Sequence, residues 1–346
     1  MAGKSLTNEQ LQDALDLVEK HGSVSEASRH TDLKRSTFES RYQRAKDILG
    51  EQPKTQLEDV SLPEFPDENI STEEIIAHLK KRWDKKHAHE QSKRWFKIKI
   101  KSDDPFGLVV VGDPHLGTHT NWALLERDVD IMANTPGLGC VNIGDTTNNW
   151  GGRLTALYAE EDISRKTERQ LARWFLKEAN VPWCVWCQGN HDVMNSEFAT
   201  YLKAINTAKI PMVDWQAKFQ LVFPSTTIKI DAAHSHKGTS IYSPTHGQRR
   251  ADLWSAENAD IIVAGHHHTW SLQQMERSDH SCVVYARCRG YKFHDEYAHR
   301  HQFNEEQFGS SIIFVIDPTA PPNCRVKPFA DLSEGAEFLT WKRSKR

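Results

Sequence analysis

The chain has little cysteine, no long apolar run and little net charge, and each deficit removes a class of protein. Six cysteines scattered over 346 residues do not make a disulfide framework. Cys184 and Cys187 form one CxxC, but no second pair stands at zinc-site spacing and no helix opens after it as in a redox motif. They read as strand residues packed in a core. No apolar run approaches the roughly 20 residues of a membrane span, and the opening MAGKSLTNEQLQDAL lacks the basic and apolar regions of a secretory signal. We therefore expect a cytoplasmic protein without a membrane partner. A net charge of −3 with 26% charged residues lacks the basic excess of a chain that coats nucleic acid over its whole surface, so any such contact is local. Internal repeats and low-complexity tracts are also lacking.

Histidine is plentiful instead. Several of the eighteen stand beside glycine and aspartate in the second half, which points to metal. The length suggests two domains. Residues 1–50 read as a small all-α domain. LTNEQLQDALDLVEK repeats apolar positions at helical spacing (Leu11, Leu15, Val18). A second helix is expected through VSEASRHT and a third through RSTFESRYQRAKDIL, with DLKR as the turn and Ser36 or Thr37 as the cap. Ala27 is small where two helices can cross closely. The segment resembles a helix-turn-helix domain of bacterial and phage DNA-binding proteins. That resemblance implies that Arg35, Ser36, Thr37, Ser40 and Arg41 lie on or near a helix that enters a major groove. Basic and acidic residues balance here, so a helical interaction or oligomerisation module competes with it.

Residues 51–94 divide into an acidic, Pro-containing linker and a helix opened by a capping box at Ser71 to Glu74, which ends in the basic run KKRWDKKHAHEQSKRW. Such a run is ordinarily a solvated face. The main domain spans 95–330, and 331–346 is left as a basic tail. In the main domain, apolar β-rich runs alternate with helical stretches such as NWALLERDVDIMA early on and dominate later. This pattern favours a layered α/β fold with two sheets face to face and helices outside.

Four of these strands end alike. LVVVGDPHLG delivers Asp113 and His115; CVNIGDTTNN delivers Asp145 and Asn148; WCVWCQGNHD delivers Asn190 and His191; IIVAGHHHTW delivers His266 and His268. A fifth, IKIDAAHSHKG, delivers His234 or His236. Residues two apart on an extended segment point the same way, which accounts for the Asp-x-His and His-x-His spacing. A lone GD or DxH means nothing, but the ordered conjunction after apolar strands does.

The ordered set GDxH, GDxxN, GNHD, H and GHxH resembles the calcineurin-like metallophosphoesterase family over about residues 105 to 320. The resemblance implies a four-layer αββα sandwich with two mixed β-sheets, and a site for two divalent metal ions. One ion would take Asp113, His115 and His268, the other Asn190, His234 and His266, with Asp145 bridging. His191 would be the catalytic histidine and Asp192 would orient it. His234 is preferred to His236 because it stands at the strand end, which leaves His236 either behind the ligands or near the substrate. An oxygen and imidazole set without thiolate suits Mn²⁺, with Fe or Zn²⁺ also compatible.

These motifs do not choose among phosphoesters. SPTHGQRRADLW offers His246, Arg249 and Arg250, and ARCRGYKFHDEY offers Arg287, Arg289, Tyr291 and Lys292. Basic residues interleaved with aromatics suit a nucleic-acid strand, and Asn148 lies close enough in sequence to reach the substrate. We expect a two-metal phosphodiesterase acting on DNA by in-line attack, of a phage or prophage nuclease type. The alternatives are a phosphatase or small-molecule phosphodiesterase with a homo-oligomerising N-terminal module, and a DNA-binding regulator with an inactive phosphoesterase domain.

Overall fold

The computed structural model describes residues 6–49, 71–293, 300, 309 and 311–346; the segment expected as a linker lies outside the described residues as far as residue 70. The chain divides into two compact units, Met1–Ile75 and Ile76–Arg346.

In the first unit, helix Asn8–His21 opens with a capping box between Thr7 and Gln10 and closes on Gly22 in the left-handed region. That pairing satisfies orphan backbone groups at both ends. A short helix, Val24–Ala27, runs on into a 3₁₀ turn, Ser28–His30. The third helix, Arg35–Leu49, begins one residue before Ser36. Ser36 and Thr37 therefore lie in its first turn and do not precede it as caps. Ala14, Ala27 and Phe38 form the small core, with Leu17, Val18, Val24 and Leu33 packed on it. The capping box expected ahead of helix Thr72–Lys93 is present, with Glu74 N donating to Ser71 Oγ and Ser71 N to the Glu74 carboxylate.

The second unit holds the strands β1 (Arg94–Lys99), β2 (Phe106–Val111), β3 (Leu138–Asn142), β4 (Trp183–Gln188), β5 (Met212–Asp214) and β6 (Gln216–Val222). They are followed by β7 (Thr227–Ala233), β8 (Ile261–Ala264), β9 (Ser271–Glu276), β10 (Cys282–Arg287), β11 (Ile312–Ile316) and β12 (Val326–Phe329). Among the described residues these make two six-stranded sheets, ordered β1-β6-β7-β8-β10-β9 and β12-β11-β2-β3-β4-β5. Both are mixed: β2, β3, β4 and β5 run parallel while β11 runs antiparallel to β2, and β7, β8 and β10 run parallel while β9 runs antiparallel to β10.

Alternation along the strands builds the layers. Leu108 and Val110 of β2 face the core between the sheets together with Ile261 and Val263 of β8. Val109 and Val111 face outward onto helix Trp122–Asn134 through Leu125, Val129 and Met132. On the other sheet, Ile262 faces outward onto Ala251 of helix His246–Trp254. The result is the mixed α/β sandwich with flanking helices that the pattern of runs implied. Of the CxxC pair expected in the core, Cys187 is buried and Cys184 is half-buried; Cys140 and Cys288 are buried as well.

Residues 331–346, set apart by the sequence as a tail, instead form helix Leu332–Ser344, capped by Asp331. Leu332 and Leu339 join the outer apolar cluster with Ile313 and Val109. Of the basic residues that suggested a tail, Lys342 Nζ donates to Asp317 and Arg343 Nη1 to Pro105 O at 2.7 Å, and Lys345 and Arg346 follow the helix. Strands β5, β9 and β12 had no apolar run to announce them. Each lies at or next to a sheet edge, where one face and one backbone edge stay wet.

Candidate metal centre

The candidate ligands stand just past the strand ends, not on the strands: Asn190 opens the short helix Asn190–Met194 and the others lie in loops. Asp113, His115, Asp145, His266 and His268 all have positive φ, at 45°, 43°, 55°, 70° and 50°. Non-glycine residues adopt this left-handed region at a cost that clusters at functional sites. The Asp-x-His and His-x-His spacing is therefore not the extended alternation expected from the sequence. Tight left-handed turns aim both members of each pair inward.

Glycines permit the loops to meet. A Cβ on Gly144, whose φ is +108°, would lie 2.5 Å from Gly189 N and 2.9 Å from His234 Nδ1. One on Gly189 would lie 2.7 Å from Asp145 N and 2.8 Å from His234 Cε1. The Gly-Asp and Gly-Asn turns lie back to back because neither carries a side chain there.

Three groups of donors converge: Asp113, His115 and His268; His115, Asp145 and His191; Asp145, His234 and His266, each with ligand atoms within 4.8 Å of one another. Asn190 completes the last, its Oδ1 2.7 Å from His234 Nε2. The arrangement fits cations. His234 Nδ1 donates to Ile143 O at 3.1 Å, which leaves the Nε2 lone pair facing the acceptor oxygen of Asn190 and lying 2.9 Å from His266 Nδ1. Burial, with His266 adding to it, lowers His234 to about 3, and burial lowers His266 to about 4. Neutral imidazoles and an amide oxygen thus converge in a donor set that fits a cation. Burial lowers His115 as well. Burial, with Asp113 and Asp192 next in effect, raises Asp145 well above the carboxylate range. Clustered buried carboxylates of this kind are relieved by bound cations.

His191 Nδ1 lies 2.5 Å from Asn148 O, and its backbone N donates to Asp145 Oδ1 at 2.9 Å. Burial lowers its imidazole to about 4. Asp192 departs from its expected role. Its carboxylate accepts from the backbone N of Asp145 (2.8 Å), Thr146 (3.0 Å) and Gly189 (2.8 Å). It clamps the two Gly turns together and leaves the orientation of His191 to Asn148.

Other expectations divide. Asn148 and Lys292 are at the centre: Asn148 Oδ1 lies 3.0 Å from His115 Nδ1 and accepts from Lys292 Nζ at 3.0 Å. Arg287 is buried and close enough for Asp113 and His266 to feel its charge. Arg289 lies over the Trp270 ring at 5.7 Å. His236 is not near the ligands but pairs with buried Asp231 at 3.2 Å, so the choice falls on His234. Tyr291 is a core residue whose hydroxyl donates to Asp128 at 2.5 Å, and Arg249 is held by Gln273 at 2.8 Å. His246 and Arg250 are exposed on helix His246–Trp254.

Sequence reasoning missed three residues. Trp150 packs edge-on to His191 at 5.0 Å, and Trp215 packs on His234 at 5.0 Å while remaining 39% exposed. Buried Glu161 accepts from Asn148 and Trp150. Only Trp150, the residue immediately after GDTTNN, had a signal in the sequence.

A two-sheet sandwich carrying a neutral-histidine and carboxylate cluster at its strand ends defines a metal-dependent phosphoesterase. The family model described as calcineurin-like phosphoesterase matches residues 106–314, more than half of the chain, and the protein belongs to that family. The family uses divalent metal ions, for which these clusters are candidate sites. No curated protein matches the chain. Among solved structures, a hypothetical protein from Thermus thermophilus is similar at 12% identity, covering 65% of this chain and 98% of that one with a TM-score of 0.40. A metallophosphoesterase from Sphaerobacter thermophilus is similar at 13% identity, 69% and 98% coverage and a TM-score of 0.33. Vps29 complexed with Zn²⁺ from Entamoeba histolytica is similar at 13% identity, 65% and 97% coverage and a TM-score of 0.31. Family membership rests on the family model.

Proposed function

We propose that the protein is a phosphodiesterase that cleaves DNA, with Asp113, His115 and His268 holding one divalent cation, Asn190, His234 and His266 a second, and Asp145 shared between them. Mn²⁺ suits this hard and borderline donor set best. Bound there, such cations supply Lewis-acid neutralisation of the phosphoryl group and a nucleophile from water at neutral pH. The chain's own residues do the rest. Lys292 and Arg287 bring positive charge to the phosphate. His191 is neutral in the site as described, with its Nδ1–H on the Asn148 carbonyl and Nε2 as acceptor. Once the phosphate's negative charge has raised its proton affinity, Nε2 takes a proton from solvent, and the imidazolium then donates that proton to the leaving oxygen.

The observation that carries the nucleic-acid reading is the presence of two exposed aromatics, Trp215 and Trp270, beside the ligands. Trp215 on His234 and Trp270 under Arg289 suit a strand whose bases stack while its phosphates are neutralised. The N-terminal unit supports a helix-turn-helix role. Arg35, Ser36, Thr37 and Ser40 are exposed on helix Arg35–Leu49, Arg41 is half-buried, and Phe38 and Ala45 face inward. A second reading, a small-molecule phosphoesterase that self-associates, is favoured by exposed Ile75, Ile76, Leu79 and Trp83 on helix Thr72–Lys93. The test is a Mn²⁺ assay across single-stranded DNA, duplex DNA, RNA, cyclic nucleotides and an aryl phosphodiester. Turnover of DNA at least tenfold above the other natural substrates supports the reading. Turnover confined to small esters, from an oligomer, replaces it with the second.

A further inference from the structure

We propose that Glu161 is a positioning residue for the metal centre: through the side-chain amide of Asn148 it sets which nitrogen of His115 faces the metal, and through Trp150 it sets the wall against which His191 packs. The assignment rests on His115 being a ligand and is independent of the substrate. Glu161 belongs to none of the strand-end motifs, yet its side chain is 4% exposed. One oxygen, Oε1, accepts from Asn148 Nδ2 at 2.6 Å and from Trp150 Nε1 at 3.0 Å.

The amide of Asn148 has two unlike ends. Glu161 accepts only, so it takes the NH₂ end, and Lys292 Nζ donates only, so it takes Oδ1, at 3.0 Å. With Oδ1 turned to His115 Nδ1 at 3.0 Å, His115 must carry its proton on Nδ1 and present a bare Nε2, which lies 3.6 Å from Asp145 Oδ2. A flipped amide would set donor against donor at Lys292 and demand the opposite tautomer of His115. The indole branch reaches the other half of the centre, because Trp150 stands edge-on to His191 at 5.0 Å and lies under Lys292 Nζ at 5.0 Å. Outer partners of ligating histidines act by fixing the tautomer and the ring.

Two readouts test this on the full-length chain. In metal-free protein, long-range ¹H–¹⁵N spectra of the histidines should show His115 as the Nδ1–H tautomer in the wild type and as a mixture in Glu161→Ala. Calorimetric titration with Mn²⁺ should show about tenfold weaker binding of one ion in Glu161→Ala. Glu161→Gln, whose carbonyl still accepts both bonds, should stay within about threefold of wild type. Wild-type tautomer and affinity in a folded Glu161→Ala overturn the proposal, as does equal loss in Glu161→Gln, which would make charge rather than hydrogen-bond acceptance the agent. If Glu161→Ala does not fold, Glu161→Met fills the space without an acceptor and carries the same expectations; failure of both to fold would assign Glu161 to the fold and overturn the role. A wild type that binds no Mn²⁺ would defeat the ligand reading of His115, and the tautomer readout would still decide the relay.

Discussion

Asp145 joins the two halves of the centre. Its Oδ1 accepts from His191 N, and its Oδ2 lies 3.4 Å from His234 Nε2 and 3.6 Å from His115 Nε2. Asp145→Ala should therefore lower kcat/KM at least a hundredfold and reduce bound Mn²⁺ from two equivalents to one or none by elemental analysis; two full equivalents would refute the shared-ligand role. His191 falls within one donor group, with His115 and Asp145, but the proposed ligand sets do not use it. His191→Ala should keep both equivalents and lose about a hundredfold on substrates with poor leaving groups, but much less on an activated aryl diester. Equal losses on both would rule out leaving-group protonation. Asp192 separates structure from chemistry. Asp192→Asn gives up one of three backbone acceptor contacts, which should cost about 1–3 kcal/mol in urea melts and weaken metal binding with it. Loss of turnover at unchanged stability and metal content would return Asp192 to a direct role beside His191.

The strand-end loops and the C-terminal helix show what elements contribute. Helix Leu332–Ser344 is tied to the end of β11 by Asp317, which accepts from Lys342 Nζ at 2.5 Å and from Arg346 Nη2 at 2.9 Å. Burial raises the Asp317 carboxyl, but the bonds from Lys342 and Thr319 and the two cations outweigh it, and the net shift is downward. A folded-state value below the unfolded value of about 3.9 means that this stabilisation is complete above about pH 4 and is lost as pH falls through the folded value. Asp317→Asn should lower Tm by about 1–4 °C at pH 7, a partly exposed pair being worth little. The gap between variant and wild type should close in melts below about pH 4. A gap that persists unchanged at acid pH would mean that the helix is held by its apolar face alone.

Across the whole chain, the exposed polar face of helix Arg35–Leu49 and the metal centre belong to separate compact units, so under the proposed DNA reading binding and cleavage should be separable. Removing residues 1–50 should leave hydrolysis of a small aryl phosphodiester unchanged. On long DNA it should raise the apparent KM, because a second binding module raises local substrate concentration. It should also flatten the salt dependence of binding by about 0.9 in log–log slope for each phosphate that the protein no longer neutralises. Unchanged DNA affinity and slope, with a shift from oligomer to monomer in light scattering, would make the N-terminal unit an assembly module.

The sequence by itself determined the inventory of the centre. Apolar runs ending in Gly-Asp, Gly-Asn and Gly-His are short-range patterns: the run sets the strand, the glycine permits a sharp turn, and the polar residues then have nowhere to go but the sheet's end. The three helices of the N-terminal unit were legible for the same reason, since helical spacing is local, although the cap expected at Ser36 or Thr37 fell inside the third helix. What the tertiary structure alone decided depends on partners far apart in the chain. His234 is separated from His236 by the carbonyl of Ile143 and the backbone of Trp215. Asp192 became a clamp because the amides of Asp145 and Thr146 lie beneath it. The left-handed turns at five ligand positions show only in the folded backbone, since a lone Asp or His does not announce one. Glu161 acquired its place only when Asn148 and Trp150 closed on it: a solitary buried carboxylate has no periodicity to announce it, and its partners are defined by the fold.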